Sequence, residues 1–322
     1  MIQLLPTILL LIAGLALILF GANYLTDGSA AIARRFNVSG FVIGLTIVAL
    51  GTSMPEMVVS VVSALKGEGD IAIGNVVGSN IFNTLVILGI CALFRPLPLT
   101  SLNVYRDIPL GIGASVALAV AAFSGSINRY EGVVLILLYI GMILYTIFNA
   151  KPSKEELELE EELEKSEPIS MWLALIFIVG GLSALIYGGT LFIDNAVLIA
   201  EVLHIPSNVI AITLVAGGTS LPEFAASLVS LIKGKSDIAL GNVIGSNIAN
   251  ILLVLGFSST LTPLTMGGIT MVDIGVVVAS SALLFLTAFT LGKYKIDRSE
   301  GAIMIVIFVL YIAYMISHSL AV

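Results

Sequence analysis

One segment of this chain occurs twice. Residues 51–90, which begin GTSMPEMVVS, match residues 218–257, which begin GTSLPEFAAS, at 24 of 40 positions without a gap. The chain is therefore an internal duplication, and each copy places the same polar residues within apolar sequence. Because ionisable and amide groups are costly in lipid, such residues typically mark an ion or substrate path. We expect the function to reside in this repeated polar cluster.

The composition is that of a membrane protein. Of 322 residues, 58% are hydrophobic and 11% are charged, whereas about a quarter of the residues in soluble domains are charged. The longest basic cluster is Arg34-Arg35, so nucleic acid is not an expected partner. One cysteine and two histidines argue against a transition-metal site. A metal bound here would be held by oxygen atoms, as Na⁺ and Ca²⁺ are.

We predict an all-α membrane protein with ten transmembrane helices, because apolar stretches of spanning length recur along the chain. A single hydrophilic stretch, the acidic linker 151–169, separates the first five spans from the last five. The predicted spans are 3–33, 40–65, 71–94, 107–124, 131–150, 170–200, 207–232, 238–261, 271–291 and 301–319.

The basic residues predict the orientation of these spans. Alternate loops differ strongly in their content of Lys and Arg, and the basic side is cytoplasmic under the positive-inside rule. Both termini are then extracellular, and the 151–169 linker is cytoplasmic. The other side carries Lys66 and Arg129, and the cytoplasmic side carries Arg34, Arg35, Arg95, Arg106, Lys151, Lys154, Lys165, Lys233, Lys235, Lys293, Lys295 and Arg298.

The number of spans in each half predicts an inverted repeat. Residues 1–150 form one five-helix repeat, and residues 170–322 form the other. Because five is odd, the second copy crosses the membrane upside down relative to the first. This is the architecture of many secondary transporters, whose sites lie near the bilayer midplane at the repeat interface.

The first motif of each copy is a proline-glutamate sequence, Gly51–Glu56 in one copy and Gly218–Glu223 in the other. A proline within a helix removes a hydrogen bond, breaks the helix and frees backbone carbonyls. Such carbonyls are tolerated at membrane depth where they line a cavity or meet a partner. Glu56 and Glu223 then lie in the first turn of a half-helix, and two facing carboxylates repel unless a proton or cation lies between them.

The second motif supplies neutral ligands. Ser79 and Asn83 are four residues apart on one helical face, and Ser246 and Asn250 are their mates in the second copy. With Thr52, Ser53, Thr219 and Ser220, the site would consist of oxygen atoms with two formal negative charges. These ligands suit one Ca²⁺ or several Na⁺ ions. Two carboxylates balance one Ca²⁺, whereas three Na⁺ leave a net charge of +1, so an exchanger of these loads would be electrogenic.

The paired GTSxPE and GNxxGSxxxN motifs resemble the alpha repeats of the calcium/cation antiporter superfamily, specifically of prokaryotic sodium/calcium exchangers. The resemblance covers essentially the whole chain. It implies exchange of Na⁺ for Ca²⁺ by alternating access, with broken helices 2, 3, 7 and 8 around a midplane ion site. It also implies long first and sixth helices that slide. The ion ligands it implies are Glu56, Glu223, Thr52, Thr219, Asn83, Asn250, Ser53, Ser220, Ser79 and Ser246, with the carbonyls of Ala49 and Ala216 for Na⁺.

Asn250 bears on the coupling ion. The potassium-dependent branch of the superfamily carries Asp at this position, so the resemblance implies exchange without K⁺. An antiporter of H⁺ and Ca²⁺, or of another divalent cation, stays open as the alternative. An intramembrane protease and a passive channel are disfavoured, because the duplicated clusters do not suit a single catalytic centre and two carboxylates favour occlusion. We expect a cell-membrane transporter in a lipid bilayer, without enzymatic activity or cofactor, with a monomer as the working hypothesis.

Overall fold

The structure is a computed structural model that describes residues 4–149, 169–202, 217–290 and 294–319. These residues are almost entirely helical. Four two-residue strands connect some of the helices: β1 (Leu97–Pro98), β2 (Ser126–Ile127), β3 (Leu264–Thr265) and β4 (Lys295–Ile296). The helices are α1 (Leu4–Phe36), α2 (Gly40–Thr52), α3 (Met54–Lys66), α4 (Gly69–Phe94), α5 (Asn103–Ser124), α6 (Arg129–Phe148), α7 (Met171–Val202), α8 (Leu221–Ile232), α9 (Ser236–Leu261), α10 (Met271–Thr287) and α11 (Arg298–Ser319).

The helix lengths confirm a multi-pass membrane protein. Among the described residues, seven helices are long and apolar enough to cross a bilayer, or eight if the bent pair α2–α3 is one span. Helices α8 and α10 are apolar but shorter, with 12 and 17 residues. The predicted seventh span includes residues 203–216, which lie outside the described residues, as does 151–168 of the linker. The count of ten spans therefore stays a prediction.

Local sequence signals explain several helix ends. Helix α1 ends where Asn37 adopts a left-handed conformation (φ 51°), while the Val38 amide bonds the Ala33 carbonyl at 3.0 Å; asparagine suits this C-terminal position. Helix α10 begins with a capping box, in which Thr270 and Asp273 bond each other's backbone amides. Reciprocal bonds of this kind satisfy amides that a helix start leaves free.

Helix α5 begins four residues before the predicted boundary at 107. The predicted span leaves Arg106 in a cytoplasmic loop, but the structure places Arg106 in a π-helical turn, Asn103–Asp107, that continues the helix. The Arg106 guanidinium contacts the buried Asp107 carboxylate at 2.7 Å. Asn103 also donates to Asp107 at 3.1 Å. A paired and hydrogen-bonded charge can enter a helix end that hydropathy alone would end sooner.

The described chain forms two compact units, each drawn from both sequence repeats. Unit 1 comprises Met1–Glu56 and Ile140–Ser246, and unit 2 comprises Met57–Tyr139 and Asn247–Val322. Each unit therefore takes one segment from the first repeat and one from the second. The repeat boundaries at 150 and 170 remain a prediction about the sequence.

In unit 1, α1 packs against α7 through glycines. A Cβ atom built on Gly21 would lie 2.7 Å from the Gly181 carbonyl oxygen, and one built on Gly181 would lie 2.8 Å from that of Gly21. Gly14 and Gly188 face each other in the same way, at 2.9 Å in both directions. Shifting Gly14 and Gly21 by 167 residues gives Gly181 and Gly188. The two contacts are therefore exchanged by the internal repeat, as a two-fold relation between the copies requires.

Unit 2 shows the same exchange. Strand β1 pairs antiparallel with β4, and β2 pairs antiparallel with β3. Leu97 in β1 and Leu264 in β3 are 167 residues apart, so each copy contributes the same strand to a different pair. Helices α5 and α10 meet at the hydroxyls of Ser115 and Ser281, 2.9 Å apart. The duplication visible in the sequence is thus also a duplication of contacts within each unit.

Candidate ion-binding site

The first motif breaks its helix at Ser53. Helix α2 ends at Thr52, Ser53 has φ −81° and ψ 7°, and α3 begins at Met54. The two helices meet at 46°. Pro55 is the second residue of α3, a position where its missing amide hydrogen is not needed. The predicted break is confirmed, although the Ala49 carbonyl still accepts a hydrogen bond from the Ser53 amide at 3.0 Å.

The second motif repeats this geometry. Ser220 has φ −87° and ψ 6°, and α8 begins at Leu221 with Pro222 in its first turn. The dihedral angles of Ser53 and Ser220 match, although Gly51-Thr52 is helical and Gly218-Thr219 lies in a turn. Ala216, a predicted carbonyl ligand, lies outside the described residues.

The two glutamates are bonded reciprocally by the two motifs within unit 1. The Ser53 hydroxyl donates to Glu223 Oε1 at 3.1 Å, and the Ser220 hydroxyl donates to Glu56 Oε1 at 3.3 Å. Both glutamates have 0% of their surface exposed. The serine of each copy therefore orients the carboxylate of the other copy, and the two acids belong to one buried cluster.

Helix α9 extends this cluster. Thr52 donates to the side-chain oxygen of Asn242 at 3.1 Å, and its hydroxyl lies 3.5 Å from that of Ser246. Asn242 in turn donates to Ser227 at 2.9 Å and to the Glu223 carbonyl at 3.2 Å. The amide of Asn242 is thus fully oriented, with its oxygen toward Thr52.

Glycine permits this approach of α9 to α2. A Cβ atom built on Gly245 would lie 2.5 Å from the Leu45 carbonyl oxygen, closer than any side chain could be accommodated without backbone movement. Gly241 contacts the Phe41 carbonyl in the same manner. The Gly241–Gly245 pair thus brings α9 close to α2, as closely spaced glycines do in membrane helices.

Two oxygens of the cluster lack a hydrogen-bond partner among the described residues. They are Glu223 Oε2 and the Thr219 hydroxyl oxygen, and both are buried. Buried polar atoms are nearly always paired, so exceptions call for an explanation such as an ion. An all-oxygen cluster with two carboxylates offers the ligands and the charge that a hard cation requires.

Unit 2 holds the remaining predicted ligands. Ser79, Asn83 and Asn250 are buried, with at most 1% of their surface exposed. Asn83 begins a π-helical turn, Asn83–Ile87, and Asn250 lies in another, Ala249–Leu255. Such turns interrupt regular helices and occur frequently at functional sites. Their use as ion ligands stays a prediction, as it does for the residues of unit 1.

An amide cluster missed by the sequence analysis surrounds Asn250. Its other members are Asn80, Asn247 and Thr84. Asn80 donates to the Asn247 backbone carbonyl at 3.1 Å, and Asn250 donates to the Asn80 side chain at 3.3 Å. Asn247 donates to the Thr84 hydroxyl at 2.7 Å. The signal was available, since Asn80 and Asn247 are repeat mates. Asn242, also missed, is the mate of Asn75.

Another acidic residue of unit 1, Asp27, forms a salt bridge. Its carboxylate contacts the Lys233 ammonium at 2.7 Å within unit 1. Lys233 also donates to the Asn23 carbonyl at 3.0 Å. The contact joins α1 to the residue that follows α8.

Comparisons with known proteins cover most of the chain. The family model described as sodium/calcium exchanger protein matches residues 6–148 and 173–317. The putative antiporter CaxA of Alkalimonas amylolytica is 38% identical over 317 residues, covering 96% of this chain and 98% of that protein. The sodium/calcium exchanger MaX1 of Methanosarcina acetivorans is 31% identical over 343 residues, covering 94% and 97%. A solved structure of the sodium-calcium exchanger NCX_Mj, soaked with zero Na⁺ and Ca²⁺, has a TM-score of 0.85 at 34% identity and covers 98% of this chain and 100% of its own.

Proposed function

We propose that this chain, which belongs to the sodium/calcium exchanger family, exchanges Na⁺ for Ca²⁺ across the cell membrane by alternating access. The resemblance to the calcium/cation antiporter superfamily is confirmed by the family match and the related structures. The observation that carries the proposal is that Ser53 bonds Glu223 while Ser220 bonds Glu56, so that two buried acids from the two copies of one motif lie in one cluster.

The proposed ligands follow the two motifs. Glu56 and Glu223 supply the charge that Ca²⁺ requires, and hydroxyls, amides and carbonyls complete the coordination. Support comes from the burial of these groups and from the unpartnered oxygens of Glu223 and Thr219 among the described residues. The neutral ligands are Thr52, Thr219, Asn83, Asn250, Ser53, Ser220, Ser79, Ser246 and the carbonyls of Ala49 and Ala216.

The charge of the site sets the proposed stoichiometry. Two ionised carboxylates match one Ca²⁺, and about three Na⁺ replace it in the opposite step, so each cycle moves one net positive charge with sodium. Asn250 adds no charge, in keeping with exchange that needs no K⁺. In this scheme the protein contributes oriented oxygen ligands and a dry site, and the ion gradients supply the free energy.

The proposed topology has ten spans in two inverted five-helix repeats, 1–150 and 170–322. Both termini are extracellular and the 151–169 linker is cytoplasmic, as the basic loops favour. Helices 2, 3, 7 and 8 surround a midplane site between the repeats. The expectation that helices 3 and 8 are broken is wrong, because α4 and α9 each continue through a π-helical turn. The exchanged contacts within each unit, such as Gly14–Gly188 against Gly21–Gly181, support a two-fold relation between the copies.

Uptake of ⁴⁵Ca²⁺ into proteoliposomes tests the proposal. Vesicles loaded with Na⁺ should accumulate ⁴⁵Ca²⁺, and an inside-positive potential should accelerate uptake because more positive charge leaves with Na⁺ than enters with Ca²⁺. Vesicles loaded with K⁺ are the control and should not accumulate it. Uptake driven by an acid interior without Na⁺ would instead establish the alternative, exchange of H⁺ for Ca²⁺. Uptake without any opposing gradient would indicate a channel and overturn the proposal.

A further inference from the structure

The amide cluster of unit 2 determines which way Asn250 points. Asn80 lies on α4, and Asn247 and Asn250 lie on α9; all three belong to unit 2. Asn80 has 1% and Asn250 has 0% of its surface exposed. Their hydrogen bonds therefore form without competition from bulk water. The orientation of each amide is then set by whether its neighbours donate or accept.

A backbone carbonyl fixes the first orientation. The Asn247 carbonyl oxygen accepts from Asn80 Nδ2 at 3.1 Å, and a carbonyl can only accept. The NH₂ end of Asn80 must therefore face Asn247. Its oxygen end then faces Asn250, which must present its own NH₂ group, as the 3.3 Å bond from Asn250 Nδ2 to Asn80 Oδ1 shows.

The consequence is an oriented, unused oxygen on Asn250. With its nitrogen bonded to Asn80, Asn250 Oδ1 is buried and has no hydrogen-bond partner among the residues that the structure describes. A buried carbonyl oxygen without a donor is destabilising, because it has lost its contact with water and gained no other. A cation would satisfy it, because amide oxygens are ordinary ligands of hard cations.

We propose that Asn80 is a positioning residue of the transport site: it holds the amide of Asn250 so that the oxygen, and not the NH₂ group, faces the transported cation. The inference rests on the proposed function. A rotated amide would direct a partial positive charge at the cation, so the loss of Asn80 weakens cation binding without removing a ligand. Residues that orient metal ligands typically alter metal affinity about 10- to 100-fold when they are replaced.

A mutant cycle with Asn80→Leu, Asn250→Ala and the double variant tests this role. The apparent KM for Ca²⁺ in Na⁺-driven uptake should rise about tenfold or more for Asn80→Leu, with a smaller change in the rate at saturating Ca²⁺. The double variant should match Asn250→Ala within about twofold, because Asn80 acts through Asn250. Effects that multiply, or an unchanged KM for Asn80→Leu, would overturn the inference.

Two further measurements distinguish a positioning role of Asn80 from a general loss of stability, and a failure of this inference from a failure of the proposed function. Ser115→Ala, which removes another buried interhelical hydrogen bond of unit 2, should leave the KM within about twofold of wild type. Ca²⁺ should raise the melting temperature of the detergent-solubilised wild type more than that of Asn80→Leu, and equal shifts would contradict the inference even if no Na⁺-driven uptake occurred. If Asn80→Leu does not fold, Asn80→Ser passes through the same cycle.

Discussion

The acidic cluster of unit 1 and the amide cluster of unit 2 treat the duplication differently. In unit 1 both copies bond a carboxylate in the same way, since Ser53 bonds Glu223 and Ser220 bonds Glu56. In unit 2 the copies differ, since Asn250 is bonded to Asn80 while both side-chain polar atoms of Asn83 lack a partner among the described residues. The serine–carboxylate contacts of unit 1 are thus symmetric, and the amide contacts of unit 2 are not.

One substitution between the repeats coincides with the difference. Thr84 corresponds to Ile251 at the same offset of 167 residues. Thr84 accepts from the NH₂ group of Asn247 at 2.7 Å, a contact that the apolar side chain of Ile251 cannot offer to Asn80. The two copies of the motif thus differ in one hydroxyl beside the amide cluster, although the asparagines themselves are the same.

The largest expected effect is that of replacing the two glutamates of unit 1. Glu56→Gln and Glu223→Gln should each reduce Na⁺-driven ⁴⁵Ca²⁺ uptake by at least about 100-fold, because each leaves a buried charge unbalanced. The rates are to be compared with those of Glu131→Gln, a variant of a half-buried glutamate in the first turn of α6 that lies outside both motifs. Robust uptake by both glutamate variants would contradict their assignment as ligands. Robust uptake by one alone would show that the two glutamates are not equivalent.

A smaller effect tests whether the two serine–glutamate contacts of unit 1 are equivalent. Ser53→Ala and Ser220→Ala each remove one hydrogen bond to a buried carboxylate, a contact of about 1.5–3 kcal/mol. We expect the KM for Ca²⁺ to rise about tenfold in each variant. The informative quantity is the ratio of the two KM values. A ratio far from one would show that the acids are not equivalent during transport.

A still smaller effect is expected from a change in the amide cluster of unit 2. Thr84→Val removes the hydroxyl that accepts from the Asn247 NH₂ group, so the amide can turn and its oxygen, which has no partner among the described residues, can accept from Asn83. If Asn83 is then oriented as Asn250 is, the KM for Ca²⁺ should fall about two- to fivefold, the size of one neutral hydrogen bond. Ile251→Val at the matching position is the control. A KM that rises or stays constant would show that Thr84 does not maintain the asymmetry.

No effect is expected from potassium. Asn250 carries no charge and its nitrogen is engaged by Asn80, so we expect Na⁺-driven Ca²⁺ uptake to proceed equally in K⁺ and in choline media. Uptake that required K⁺ would contradict the assignment of this position. It would leave the roles of the two glutamates intact.

Much of this molecule follows from the sequence, for definable reasons. Helix boundaries follow from hydropathy, and the break at Ser53 follows from Pro55, because both are local properties. The amide orientations at Asn80 and Asn247 depend on which group lies across the helix interface, which spacing within one helix does not reveal. The early start of α5 likewise depends on the pairing of Arg106 with Asp107.

The glycine contact of α1 with α7 has a consequence for axial register. Gly14, Gly21 and Gly28 are seven residues apart, and they meet Gly188, Gly181 and Ala174, which are also seven apart. Seven residues are about two helical turns, or about 10 Å of rise. Because glycines recur every seven residues on both antiparallel helices, a shift of one helix by seven residues again places glycine opposite glycine. The backbone contact is thus compatible with more than one axial position, which larger side chains at these sites would not allow.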